Sequence, residues 1–120
     1  MVKLVLAHAV RELPPRVLVR TYERAPVARW DPHLAAYAAD TIDKLASLGV
    51  QLVGIDSASI DPAASKDLPS HQVIRRRQLR VLENLVLDDV PEGDYELIAL
   101  PLKLMTSDAS PVRAILRALA

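Results

Sequence analysis

Cysteine is missing from this chain of 120 residues. Disulfides and thiolate metal sites are therefore excluded. Phenylalanine is missing too, and aromatic residues make up only 3% of the chain (Trp30, Tyr22, Tyr37 and Tyr95), so the hydrophobic 51% must build its core from aliphatic side chains. No sign of charge prevails, because 15 basic and 15 acidic residues cancel. That balance provides no global field to draw in nucleic acid or an anionic membrane. It also does little to hold copies apart, which favours an oligomer. No apolar run approaches the length of a membrane span, since Arg, Asp or Pro interrupts each within a few residues. Met1 to Val10 carries one Lys and leads to Arg11 and Glu12 with no small-residue cleavage site. The expectation is a chain without a signal peptide, in the cytoplasm. Repeats, low-complexity tracts, a phosphate loop, a Ser-centred elbow and a Cys–His pair are all absent.

The length suits one domain, residues 1–120. Met1 to Leu13 has apolar residues at roughly helical spacing, and Pro14-Pro15 stops it. The β-branched run Arg16 to Thr21 predicts a strand. Asp40 is placed to cap a helix over Thr41 to Leu48, which Gly49 ends. Gln51 to Ile55, apolar on both faces, predicts a buried strand in a sheet covered by helices. A loop follows to Pro69, and a short helix over Ser70 to Arg77 has Ser70 as its expected cap. Leu79 to Leu87 predicts a strand, Pro91 to Asp94 a turn, and Tyr95 to Leu104 a strand whose Pro101 marks an edge or bulge. Val112 to Leu119 is ambiguous: Pro111 favours a helix, while alternation of Val112, Ala114 and Leu116 with Arg113 and Arg117 favours the strand preferred here. Strands interleaved with helices make an α/β domain with a mixed sheet and flanking helices.

Two ionisable residues stand out. His71 opens a helix, and Glu83 interrupts an apolar strand 83 − 71 = 12 positions later. Both could point to one end of the sheet, and imidazole with carboxylate suits zinc or manganese. Two donors alone do not make a tight zinc site, which usually has three or four. Each residue also has a plain structural reading, His71 as a cap or surface residue and Glu83 as part of an exposed face. Asp56 closes the buried strand, where open α/β sheets place ligands, and could hold a side chain or metal or make an Asx turn. Arg75, Arg76, Arg77 and Arg80 form a basic cluster without interleaved aromatics, the pattern of a solvated helix face. His8 and His33 have no patterned neighbours and receive no role.

Several strings have a common explanation. Pro14 to Thr21, Leu52 to Pro62, Ser65 to His71, Val81 to Asp88, Pro91 to Lys103 and Ser110 to Ala114 resemble, in order, the bacterial kynurenine formamidases, members of the metal-dependent cyclase-like hydrolases. The resemblance covers about Leu13 to Leu119. It implies part of a swivelling β/β/α domain acting as a homodimer, and hydrolysis of N-formyl-L-kynurenine to L-kynurenine and formate in tryptophan catabolism. It also implies a binuclear centre, with zinc or manganese, in which His71 is the late histidine ligand and Glu83 the carboxylate bridging two ions. The family's His-x-Gly-Thr-His-x-Asp-x-Pro-x-His motif, source of the other ligands and of the general acid/base histidine, has no counterpart here, and neither His8 nor His33 replaces it. The family's frequent Thr-Pro is Ser57-Ala58. The expectation is thus the C-terminal portion of a formamidase domain lacking its N-terminal part, with no catalytic residue of its own. The alternative is an inactive module serving dimerisation or protein interaction, through sheet edges left open to pairing.

Overall fold

A computed structural model describes residues 13–120. The helix expected over Met1 to Leu13 lies outside the described residues apart from Leu13, as does His8. Three parallel strands, β1 (Arg16–Val19), β2 (Leu52–Ile55) and β3 (Arg80–Leu82), form one sheet in the order β1-β2-β3. Helix α1 (Ala39–Ser47) lies between β1 and β2 in sequence, and α2 (Pro69–Arg77) between β2 and β3. Strands β4 (Tyr95–Pro101) and β5 (Val112–Ala118) then form a separate antiparallel pair.

Side-chain alternation along the strands assigns the layers. Val17 and Val53 pack with Leu45 and Val50, and Ile55 packs with Ile42, Ile60, Val73 and Leu79, so one sheet face is covered by the two helices. Leu18, Leu52 and Leu82 turn the other way, towards Leu85, Leu87 and the inner face of the antiparallel pair at Leu97, Ala114 and Leu116. The result is a helix layer, a parallel sheet and an antiparallel sheet. It agrees with the α/β class, and the burial of β2 on both faces agrees with its uninterrupted apolar sequence. Gly54 sits where the sheets approach each other. A Cβ there would run into Leu18 Cδ2 and lie 3.0 Å from Leu85 Cδ1.

Several boundaries differ from expectation. The expected cap Asp40 lies inside the first turn of α1, where its charge suits the positive helix end, and Ala38 precedes the helix without a side-chain cap. Gly49 ends α1 as expected, with φ 91°, while the Val50 N–H donates to the Leu45 carbonyl (3.0 Å). Ser70 is not a cap either. Pro69 takes the first helical position of α2, and Ser70 is buried inside the helix, its hydroxyl donating to the Tyr37 carbonyl (3.0 Å). The strand expected over Leu79 to Leu87 is only Arg80–Leu82, because Asn84 takes φ 58° and donates its N–H to the Ser57 carbonyl (2.8 Å). Glu83 thus lies just beyond β3. The fourth strand stops at Pro101, paired with Val112, and the ambiguous last segment is a strand.

Ile42 is fully buried between α1 and the sheet. Ile42→Ala should lower unfolding free energy by about 2–5 kcal/mol. Leu100→Ala, at a side chain on the antiparallel pair that is 74% exposed, should change it by less than about 0.5 kcal/mol. Urea denaturation of both variants checks the contrast.

Candidate metal centre

The loop after β2 carries two buried carboxylates, each facing a different distant segment. Asp56 accepts hydrogen bonds from the Thr21 N–H (2.9 and 3.0 Å to its two oxygens), the Thr21 hydroxyl (2.7 Å) and the Tyr22 N–H (3.0 Å). It fixes the chain leaving β1. Its partners are the backbone of Thr21 and Tyr22 and the Thr21 side chain, long-range bonds rather than those of an Asx turn. Ser57 beside it is also buried, and its hydroxyl donates to the Ala35 carbonyl (2.8 Å).

Asp61 is fully buried and serves α2. Its Oδ1 accepts from the Ser70 N–H (2.8 Å), and its Oδ2 accepts from the His71 N–H (3.0 Å) and lies 2.7 Å from His71 Nδ1. These backbone groups are the unpaired donors of the helix's first turn, so a carboxylate ten positions upstream does the capping expected of Ser70. Burial raises the Asp61 pKa, but hydrogen bonds from the His71 and Ser70 backbone, and then from the imidazole, outweigh it and hold the carboxyl below its ordinary value.

On the other side of the ring, His71 Nε2 lies 3.0 Å from Glu83 Oε1. The same Oε1 accepts from the Ile60 N–H (3.1 Å). The side chains of His71 and Glu83 are 33% and 27% exposed, so solvent reaches the pair. They line an open cavity of about 890 Å³ with Arg75, Arg80 and Asp108. The structure therefore brings both sequence-predicted residues together, although Glu83 is placed by a loop rather than by a strand.

An imidazole nitrogen and a carboxylate oxygen converging at a solvent-facing edge match the donor chemistry of zinc or manganese. Among the described residues no cluster of three or more His, Cys, Asp or Glu residues could hold a metal ion, so the pair falls short of the three or four donors zinc usually takes. Sequence reasoning missed Asp61. Its only local signal was an acidic residue in the loop ten positions before a helix-opening histidine, and the link is made by folding.

Of the predicted basic cluster, Arg75 and Arg80 border the cavity at His71 and Glu83. Arg76 and Arg77 pair with Asp43 on α1 (3.2 and 2.8 Å) on an exposed surface, as a solvated helix face should. His33 is exposed, with its backbone N–H donating to Asp31 (2.9 Å). A second cavity of about 610 Å³ opens near the ends of β1 and β2, bordered by Tyr22, Trp30, Asp56 and Asn84 but not by His71 or Glu83.

The fold resembles part of solved structures described as metal-dependent hydrolases. One solved structure, described as a potential metal-dependent hydrolase with cyclase activity, has a TM-score of 0.74 and 34% identity, over 83% of this chain and 49% of that one. A second, described as a predicted metal-dependent hydrolase from Bacillus stearothermophilus, has the same score and identity over 83% of this chain and 48% of its own. Sequence similarity is narrower in kind: the chain closely resembles proteins named kynurenine formamidase. That of Paracidovorax citrulli is 76% identical over 116 residues, that of Delftia acidovorans 75% over 115, and that of Bordetella avium 65% over 114. These matches cover 93%, 96% and 95% of this chain, which spans about half of each relative, 54% in all three cases. No family model matches the chain.

Tyr22, on the rim of the second cavity, donates its hydroxyl to Asp31 Oδ2 (2.7 Å). That hydrogen bond first, and then burial, pushes the phenol from 10.0 up to about 12. The folded chain thus holds this proton more tightly than the unfolded chain, so its contribution to stability is lost as pH rises from about 10 towards about 12. Ultraviolet titration should show this late ionisation, and Tyr22→Phe should remove both that step and the associated alkaline loss of stability.

Proposed function

We propose that this chain is the C-terminal portion of one kynurenine formamidase domain, supplying His71 and Glu83 to a zinc centre that hydrolyses N-formyl-L-kynurenine to L-kynurenine and formate. The observation that carries this reading is the meeting of His71 Nε2 and Glu83 Oε1, 3.0 Å apart, at the edge of an open cavity. The similarity to proteins named kynurenine formamidase supports this choice of substrate. The setting is tryptophan catabolism in the cytoplasm, in a homodimer. No helix among the described residues is long and apolar enough to cross a membrane.

His71 Nε2 and a Glu83 carboxylate oxygen would hold the cation, with Glu83 able to bridge two. When bound, such a cation supplies Lewis acidity, which polarises a formyl oxygen and makes water a stronger nucleophile near neutral pH. This chain's own part is to bind and orient. The Ile60 N–H holds Glu83 Oε1.

A second reading, a module for dimerisation or protein interaction, is favoured by apolar side chains on and beside the antiparallel pair. Leu100 is 74% exposed and Met105 83%.

Zinc titration against a chromophoric chelator should show weak binding to the 120-residue chain. His71→Ala and Glu83→Gln should each weaken it by about ten-fold or more. The chain alone should not turn over N-formyl-L-kynurenine, and adding a polypeptide that carries the His-x-Gly-Thr-His motif should restore turnover. Turnover by the chain alone with stoichiometric zinc contradicts the proposal, and continued inactivity of the mixture favours the interaction module.

A further inference from the structure

A buried charge persists only where other groups replace its lost hydration. At Asp61 the replacements come from one place, the first turn of α2. One oxygen takes the Ser70 N–H, and the other takes the His71 N–H and faces the ring nitrogen Nδ1 at 2.7 Å. Both oxygens are thus engaged as acceptors, as in an ionised carboxylate, which has no proton to give. The proton between Asp61 and the ring then belongs to the imidazole. Resting on the reading of His71 and Glu83 as metal donors, we propose that Asp61 is the positioning residue of the site, holding the His71 proton on Nδ1 and presenting Nε2 as the donor nitrogen.

Three features make this more than helix capping. Capping is completed by the two backbone contacts, so the third contact, to the ring, is additional. It also fixes the ring's orientation, because a half-turn about the Cβ–Cγ bond would exchange each nitrogen for a carbon, losing the contact with Asp61 and turning Nε2 away from Glu83. Finally, the neighbouring residue does the matching job for the other donor. Ile60 is fully buried in the helix-side core, and its N–H holds Glu83 Oε1 at 3.1 Å. Two consecutive residues of one loop therefore orient both donors, Ile60 through its backbone and Asp61 through its side chain. A carboxylate behind a metal-binding histidine selects its tautomer and raises its basicity, and losing such a partner weakens metal affinity by about 10–100-fold.

An Asp61→Asn side chain has one acceptor oxygen and one donor group. It must turn its NH2 either to the Ser70 N–H or to the donors of His71, so it cannot serve all three contacts.

The test has two arms on the 120-residue chain. In the first, nitrogen-15 NMR locates the ring proton of wild-type His71, metal-free and with zinc added. A protected proton on Nδ1 in both states, with zinc attached at Nε2, is expected. A bare Nδ1 with the proton on Nε2 overturns the proposal. In the second, zinc affinity and melting temperature are measured for Asp61→Asn. The expected result is affinity about 10–100-fold weaker for the folded protein, with the Nδ1 proton no longer protected. Lower stability with unchanged zinc affinity would mean a capping role only and would also overturn it. Should the variant not fold, the wild-type proton assignment decides alone. If wild-type His71 takes no zinc, the metal-centre reading fails, while the metal-free spectrum still tests what Asp61 does to the ring.

Discussion

Two carboxylates buried just after the central strand must be satisfied by donors that their own loop does not supply. Asp56 meets that demand with Thr21 and Tyr22, where the chain leaves β1, and Asp61 with Ser70 and His71, where α2 begins. Each carboxylate has little or no contact with water, so its oxygens would be left buried and unsatisfied if its donors moved away. The loop between them consequently joins three segments of the chain. The approach of β1, the start of α2 and the position of Glu83 are all set from Asp56 to Asp61. The candidate metal donors inherit their geometry from this arrangement rather than from the strands themselves.

The layers around the loop follow from β2. Its side chains alternate between a helix-covered face and a face turned to the antiparallel pair, and aliphatic packing fills both in a chain without phenylalanine. Gly54 is the point where close approach matters, since even a methyl group there meets Leu18 and Leu85. Away from the parallel sheet, cover is thinner. The antiparallel pair turns the partly buried Leu97, Ala114 and Leu116 inward and leaves Leu100 and Ile115 exposed outward. The chain spans about half the length of the curated relatives it matches.

Much of the order of elements was legible because it depends on local chemistry. The β-branched run at Arg16, the apolar run ending at Ile55, Gly49 after α1 and Pro101 at the end of β4 act through backbone preference or burial, and each lies where its residue type suggests. The last strand was harder. Pro111 and the alternating residues after it pointed to different structures, and pairing with β4 decided between them. The two helix caps were misplaced for a related reason. Asp40 and Ser70 are good capping residues locally, but α1 begins after Ala38 with no side-chain cap, and a carboxylate from another segment caps α2.

The sequence by itself determined the alternation of strands and helices, the aliphatic core and the absence of thiolate chemistry, since residue type and short-range spacing carry all of these. His71 and Glu83 were instead singled out as a pair by the resemblance of the strings around them. Tertiary structure alone decided that the pair meets at 3.0 Å, that Glu83 sits past the end of its strand, and that Asp61 stands behind the imidazole. The physical reason is that a buried charge is satisfied by whichever donors folding brings to it. Partners ten or thirty-five positions apart leave no periodic mark on the sequence.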